Sequence, residues 1–200
     1  MRNAIVVNLN RCIGCFSCEV ACKQQNNVPL GQYWNKVEIV GPMGKHPHIQ
    51  QYWLPTMCQQ CENAPCIEVC PTGASMRDPE TGLVIIDKSI CIGCKSCMTA
   101  CPYGVRAFNP KDNTVGKCIC CNDLIKQGKD PACVSICCGE ARAYGDLDDP
   151  NSPASKMLAA AAPEDIHHFK DAGNKPVSAY ILSKKYATWQ ESFPIPFDQL

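Results

Sequence analysis

Residues 91–102 read CIGCKSCMTACP, and residues 12–22 repeat the same spacing as CIGCFSCEVAC. Both follow C-x2-C-x2-C-x3-C. Two looser versions lie between and beyond them: CQQCENAPCIEVCP at 58–71, and CICCNDLIKQGKDPACVSIC at 118–137. Sixteen of the chain's 18 cysteines thus fall into four groups of four: Cys12, Cys15, Cys18 and Cys22; Cys58, Cys61, Cys66 and Cys70; Cys91, Cys94, Cys97 and Cys101; Cys118, Cys121, Cys133 and Cys137. A short secreted chain with so much cysteine would suggest a disulfide framework. The spacing argues otherwise. Disulfide scaffolds rarely repeat a ligand-like run, whereas three thiolates must converge from one tight loop to hold an iron–sulfur cube. The pattern predicts four [4Fe–4S] clusters and a chain that carries electrons.

In the two-cluster bacterial ferredoxin form of this run, the fourth cysteine ligates the other cluster. Applied here, Cys91, Cys94 and Cys97 take Cys70, and Cys58, Cys61 and Cys66 take Cys101. By the same crossing, Cys12, Cys15 and Cys18 take Cys137, and Cys118, Cys121 and Cys133 take Cys22. The second run is two residues longer, so its loop must bulge at Glu62-Asn63-Ala64-Pro65. Four zinc sites of four cysteines are the competing reading, but zinc is usually held by two C-x2-C knuckles. Cys120 and Cys138 are left over, each beside an expected ligand. They are either buried thiols with no chemical role, substitutes for their neighbours, or, for Cys138, a weak S–H donor toward a cluster. Lys23, Lys95 and Lys117 also flank expected ligands; each is a positive charge that raises a cluster potential or an exposed lysine on a loop. His46, His48, His167 and His168 are not needed as ligands and read as surface-loop residues, and Trp34 and Trp53 as core or interface aromatics. No phosphate loop, nucleophile motif or paired-carboxylate site stands out, so no catalytic residue is expected.

The chain has 200 residues, enough for one domain or two small joined ones. With 3 Trp, 6 Tyr and 5 Phe against 13 Gly and 16 Pro, apolar material is thin. Small cores of this kind need staples, and metal sites serve as such; the apo chain is expected to fold poorly. Nineteen basic and 19 acidic residues cancel, and four oxidised clusters with their thiolates would add roughly −8. That excludes nucleic acid as a partner. No segment approaches the roughly 20 apolar residues of a membrane span. With an expected ligand already at position 12 there is no room for a cleavable signal, so the chain is expected to be cytoplasmic, or exported folded with a signal-bearing partner.

Along the chain, residues 4–9 read as a strand, 33–40 as a second, and 83–87 as the return strand of a hairpin turning at Asp78-Pro79-Glu80-Thr81-Gly82. Short helices are expected just before the last cysteine of the second and third runs, an alanine-rich helix over 155–162, and a strand over 177–182. The fold class is α+β, loop-rich, with tandem ferredoxin-like modules of two clusters each, one inserted in the other. Residues 1–52 and 104–147 form the outer module, 53–103 the inserted one, and 148–200 a C-terminal extension expected to contact a partner, its tail 192–200 in particular.

CIGCFSCEVACKQQNNVP (12–29), CQQCENAPCIEVCPTGA (58–74), CIGCKSCMTACPYGVR (91–106) and the fourth run from Lys117 together resemble the iron–sulfur subunits of the dimethyl sulfoxide reductase family of molybdopterin oxidoreductases. AYGDLDDPNSP (143–153) points to the polysulfide and thiosulfate reductase branch. The resemblance covers about residues 4–153 and implies docking on a large subunit that holds a molybdenum or tungsten bis-molybdopterin-guanine-dinucleotide centre. It also implies electron exchange with a quinone-reactive membrane anchor or a soluble carrier. Similar subunits serve formate dehydrogenases and hydrogenases, which are the alternative. In one place the chain departs from the family: Cys138 stands where proline usually follows the last cysteine of the fourth run, which leaves the choice between Cys137 and Cys138 open.

Overall fold

The computed structural model describes residues 1–191; the tail 192–200, expected on a partner, lies outside the described residues. Strand β1 (Asn3–Asn8) carries the run Ala4-Ile5-Val6-Val7, and all four residues are buried. A strand that is apolar on both faces must be covered on both. Here β1 lies inside a four-stranded sheet whose other members all come from the far end of the chain: β8 (Arg142–Asp146), β9 (Ile166–His167) and β10 (Ala179–Ile181), in the order β8-β1-β10-β9. β8 runs antiparallel to β1, with Val7 opposite Arg142, and β10 runs parallel, with Val7 opposite Tyr180.

Between these strands the chain makes three hairpins and a series of short helices. Helix α1 (Ser17–Asn26) is followed by β2 (Asn35–Lys45) and β3 (His48–Met57), then α2 (Pro65–Glu68), the pair β4 (Ser75–Arg77) and β5 (Val84–Ile86), and α3 (Ser96–Thr99). The pair β6 (Arg106–Asn109) and β7 (Thr114–Lys117), α4 (Asn122–Lys126), α5 (Ala132–Ser135) and, after β8, α6 (Pro153–Ala159) complete the order. The β4–β5 hairpin turns at Asp78–Gly82 as expected, closed by Asp78 N–H to Leu83 O at 2.8 Å. The β2–β3 hairpin is longer than the sequence suggests. Pro42, Gly41 and Gly44 break the alternation in one strand, and Pro55 lacks the N–H a central strand needs; a two-stranded ribbon tolerates both because its outer edges are unpaired.

Residues 177–182, read as part of an extension, are built into the chain's own sheet: Ala179, Tyr180, Ile181 and Leu182 are all buried. Phe169, Tyr180 and Trp189 form an aromatic knot with centroids 5.0–5.4 Å apart. His167 lies in β9 and is half-buried, contrary to expectation, whereas His168 is exposed in the loop that follows, as expected. His167 stacks on Trp189 and bonds Leu182 O at 3.0 Å, and His168 bonds Ser178 O at 2.9 Å. His46 and His48 do lie exposed, at the tip of the β2–β3 hairpin. The main apolar core includes Cys22, Cys58, Cys61, Cys66, Cys97, Cys118, Cys120 and Cys133. Seven of these are expected metal ligands, so part of the ligand set is itself core, whereas Cys15 and Cys94 are exposed.

Candidate metal centres

Each of the four C-x2-C turns has the same backbone shape. The residue before the second cysteine takes a positive φ in every case: Gly14 at 66°, Gln60 at 51°, Gly93 at 67° and Cys120 at 51°. Glycine adopts this freely and other residues do so at a cost. At Gly14 a second constraint applies, because a Cβ there would stand 2.3 Å from the Trp53 indole. Trp53 thus packs flat on the first ligand loop. Helices α2, α3 and α5 are single turns that end the same way, with the last cysteine donating to the residue three before it: Cys70 to Ile67 O, Cys101 to Met98 O and Cys137 to Val134 O, at 3.1–3.2 Å. These tight turns throw the fourth cysteine of a run away from the first three.

The result is visible in three small, partly open cavities. One is lined by Cys12, Cys15, Cys18 and Cys137. A second is lined by Cys58, Cys61, Cys66 and Cys101, and a third by Cys70, Cys91, Cys94 and Cys97. Each takes three cysteines from one run and the fourth from another. The remaining four also meet: burial pushes the Cys22 thiol well above its ordinary value, and the neighbouring Cys118, Cys133 and Cys121 push it the same way. Asn26 Nδ2 lies 3.8 Å from Cys22 Sγ and 3.7 Å from Cys121 Sγ. Among the described residues no three Cys, His, Asp or Glu side chains converge as one metal ion requires. The thiols surround a volume rather than a point.

Of the two spare thiols, Cys138 is exposed, with its Sγ 3.9 Å from Cys15 Sγ, and does not line the cavity that Cys137 lines. Cys137 Sγ accepts from Ala141 N–H at 3.2 Å. Cys120 is buried, occupies the positive-φ corner of its turn, and hydrogen-bonds Cys118. That bond, with the Cys120 backbone N–H and then Lys117, holds the Cys118 thiol below its ordinary value against the opposing effect of burial. Burial instead drives Cys61 and Cys133 up to about 12. A cation near such thiols is what lets them ionise.

The three lysines singled out by sequence differ. Lys117 is fully buried and donates to Val84 O and to Cys118 O. Lys23 lies over the Tyr33 ring at 3.9 Å and Lys95 over Phe108 at 4.0 Å. Sequence reasoning missed the polar side chains that reach the sulfurs, among them Asn26; Asn174, whose Nδ2 is 3.0 Å from Cys61 Sγ; Ser96, whose Oγ is 3.5 Å from Cys94 Sγ; and Arg142, 3.3 Å from Cys18 Sγ; Arg106 lines the second cavity beside them. For the arginines a signal existed, since both stand at the same offset after the last cysteine of a run.

A family of 4Fe-4S dicluster domains matches residues 49–147. A Halobacterium salinarum protein assigned as an iron–sulfur subunit of dimethyl sulfoxide reductase is 42% identical over 88% of this chain and 78% of its own length. The thiosulfate reductase electron transfer subunit of Salmonella typhi is 42% identical over 85% and 86%, respectively. The arsenate respiratory reductase iron–sulfur subunit of a Shewanella species is 34% identical over 92% and 97%.

Proposed function

Because the chain belongs to the iron–sulfur subunits of the dimethyl sulfoxide reductase family of molybdopterin oxidoreductases, we propose that it is a wire of four [4Fe–4S] clusters. As a member of that family it is an electron-transfer subunit of a reductase complex and carries 4Fe-4S clusters. The number four, and the ligand to each, are our reading. The proposed sets are Cys12, Cys15, Cys18 and Cys137; Cys22, Cys118, Cys121 and Cys133; Cys58, Cys61, Cys66 and Cys101; and Cys70, Cys91, Cys94 and Cys97. The carrying observation is that three cavities are each lined by four cysteines in the crossed combination, three from one run and one from another. Thiols spread around a cavity suit a cube better than a single zinc ion.

In this reading residues 1–52 and 104–147 form one two-cluster module, 53–103 the module inserted in it, and 148–200 an extension that contacts a partner subunit and whose strands β9 and β10 join the sheet of β1. When bound, the clusters supply one-electron redox chemistry. The chain supplies thiolates, N–H donors to sulfur from Ala141 and Ser75, and an apolar wall that limits water, all of which set potential. The partner is a large catalytic subunit with a molybdopterin centre; a quinone-reactive membrane anchor or soluble carrier completes the path. Among the described residues no helix is long and apolar enough to cross a membrane, which suits a subunit that borrows its anchor. The proposed location is the cytoplasm, or the outer face of the membrane after folded export with a signal-bearing partner. The names of the relatives favour a reductase over a formate dehydrogenase or hydrogenase.

Iron and acid-labile sulfide analysis of the purified protein tests the wire. Four cubanes imply about 16 iron atoms per chain. A content near 8 or 12 overturns the four-cluster assignment, and a colourless zinc protein overturns the function.

A further inference from the structure

Arg106 and Arg142 occupy equivalent places in the two halves of the chain. Each stands five positions after the last cysteine of its run, Cys101 to Arg106 and Cys137 to Arg142. Each opens a strand, β6 or β8, and each is buried, 2% and 5% exposed. Arg142 lines the cavity of Cys12, Cys15, Cys18 and Cys137, with Nη2 3.3 Å from Cys18 Sγ, and its charge also acts on the buried Cys133 of the adjacent set. Arg106 lines the cavity of Cys58, Cys61, Cys66 and Cys101, and its charge also acts on Cys97 of the set adjacent to that one. One guanidinium therefore lines one set in each half and carries its charge toward the neighbouring set.

Their remaining partners are neutral. Arg142 donates to Asn35 Oδ1 at 2.8 Å and faces Met57 Sδ at 3.7 Å; Arg106 donates to Ser75 Oγ at 3.1 Å. Neither takes part in an ion pair among the described residues. Arg106 Nη1 is buried with no hydrogen-bond partner among them. A buried guanidinium without an anion is costly, and arginine cannot shed its proton to escape. The chain has left these two positive charges facing thiols, so the compensating charge must come from what the thiols hold.

We propose that Arg106 and Arg142 are fixed counter-charges, each shared by two adjacent clusters, and that they raise the reduction potentials of those clusters. The proposal rests on the four-cluster reading above. Reduction adds one electron to a cluster, taking its core from 2+ to 1+; no bond forms or breaks, and the electron arrives from a neighbouring cluster or the partner subunit. The added negative charge lies beside the guanidinium, which favours the reduced form. The two arginines thereby divide the wire into two pairs, each with its own setting.

Redox titration of the holo complex, followed by electron paramagnetic resonance of the reduced clusters, tests this. Arg142→Gln should lower two of the four potentials, changing the oxidised-to-reduced ratio at a fixed potential by about tenfold, or 59 mV for a one-electron couple. Arg106→Gln should lower the other two, and Arg142→Lys, which keeps the charge, should restore most of the loss. Unmoved potentials in a fully loaded variant overturn the proposal. So does an Arg142→Lys protein as low as Arg142→Gln, or both variants shifting the same clusters. Should Arg142→Gln not assemble, Asn35→Asp sets a carboxylate beside Arg142 and should lower the same two potentials; if they stay put, the proposal fails. Wild-type iron content separates the two readings. Fewer than four clusters defeats the ligand assignment, whereas four clusters with unmoved potentials defeats only the role of the arginines.

Discussion

Cys137 and Cys138 are neighbours in sequence, but the i−3 turn that ends α5 aims Cys137 at a cavity and leaves Cys138 at the surface beside Cys15. Cys137→Ser should therefore lose or degrade one cluster, while Cys138→Ser keeps the full iron complement. Iron counts on the two variants decide it, and equal losses would break the assignment. Cys120 fills the corner that glycine fills in two sister turns, so Cys120→Gly relieves a strained φ and should retain all four clusters. Gly14→Ala is the opposite case. It meets both a φ of 66° and the Trp53 ring, and should shorten the half-life of the visible chromophore under chelator several-fold relative to wild type. The sixteen cysteines were legible because their spacing is local chemistry. Asn174, which donates to Cys61 from 113 residues away, was not, because only the folded sheet brings it there.

The β4–β5 hairpin shows how one turn holds two regions together. Asp78 is buried, which by itself disfavours its charge, but four donors outweigh that: Lys126, Thr81 N–H, Asn122 and Glu80 N–H hold its carboxyl well below the usual range. Because the pKa is lowered on folding, the stabilisation is present above the unfolded value of about 3.9 and is lost as pH falls through the folded one. Asp78→Asn should cost roughly 1.5–3 kcal/mol between pH 5 and 8. The gap between variant and wild type should close below about pH 4, as read by denaturation midpoints across pH; a gap that is constant with pH would refute the role. The turn itself was legible from Asp-Pro-Glu-Thr-Gly. Its tether to α4 was not, since nothing in the spacing of Asp78, Asn122 and Lys126 announces that the elements meet.

At the scale of the molecule, local patterns revealed the elements but not the order of the sheet. The apolar run 177–182 reads equally as a strand in an extension or a strand in the core; only the buried backbone edge of β1, which β10 pairs, decides between them. Removing everything after residue 176 should therefore prevent iron loading, and a truncated protein with all its clusters would show that β10 is dispensable. The pairing of Val6 with Ala179 also has a consequence for synthesis. At about 5–20 residues per second, the second of these residues leaves the ribosome roughly 9–35 s after the first. Throughout that interval the earliest strand waits without β10, its last partner, and oxygen or stray metal can reach the thiols of the first ligand loop. Chains stalled with 170 residues emerged should thus expose Cys12 and Cys22 to alkylation, and full-length loaded chains should not. A protein of this design is most vulnerable before its last strand arrives, so cofactor insertion is best timed to the end of translation.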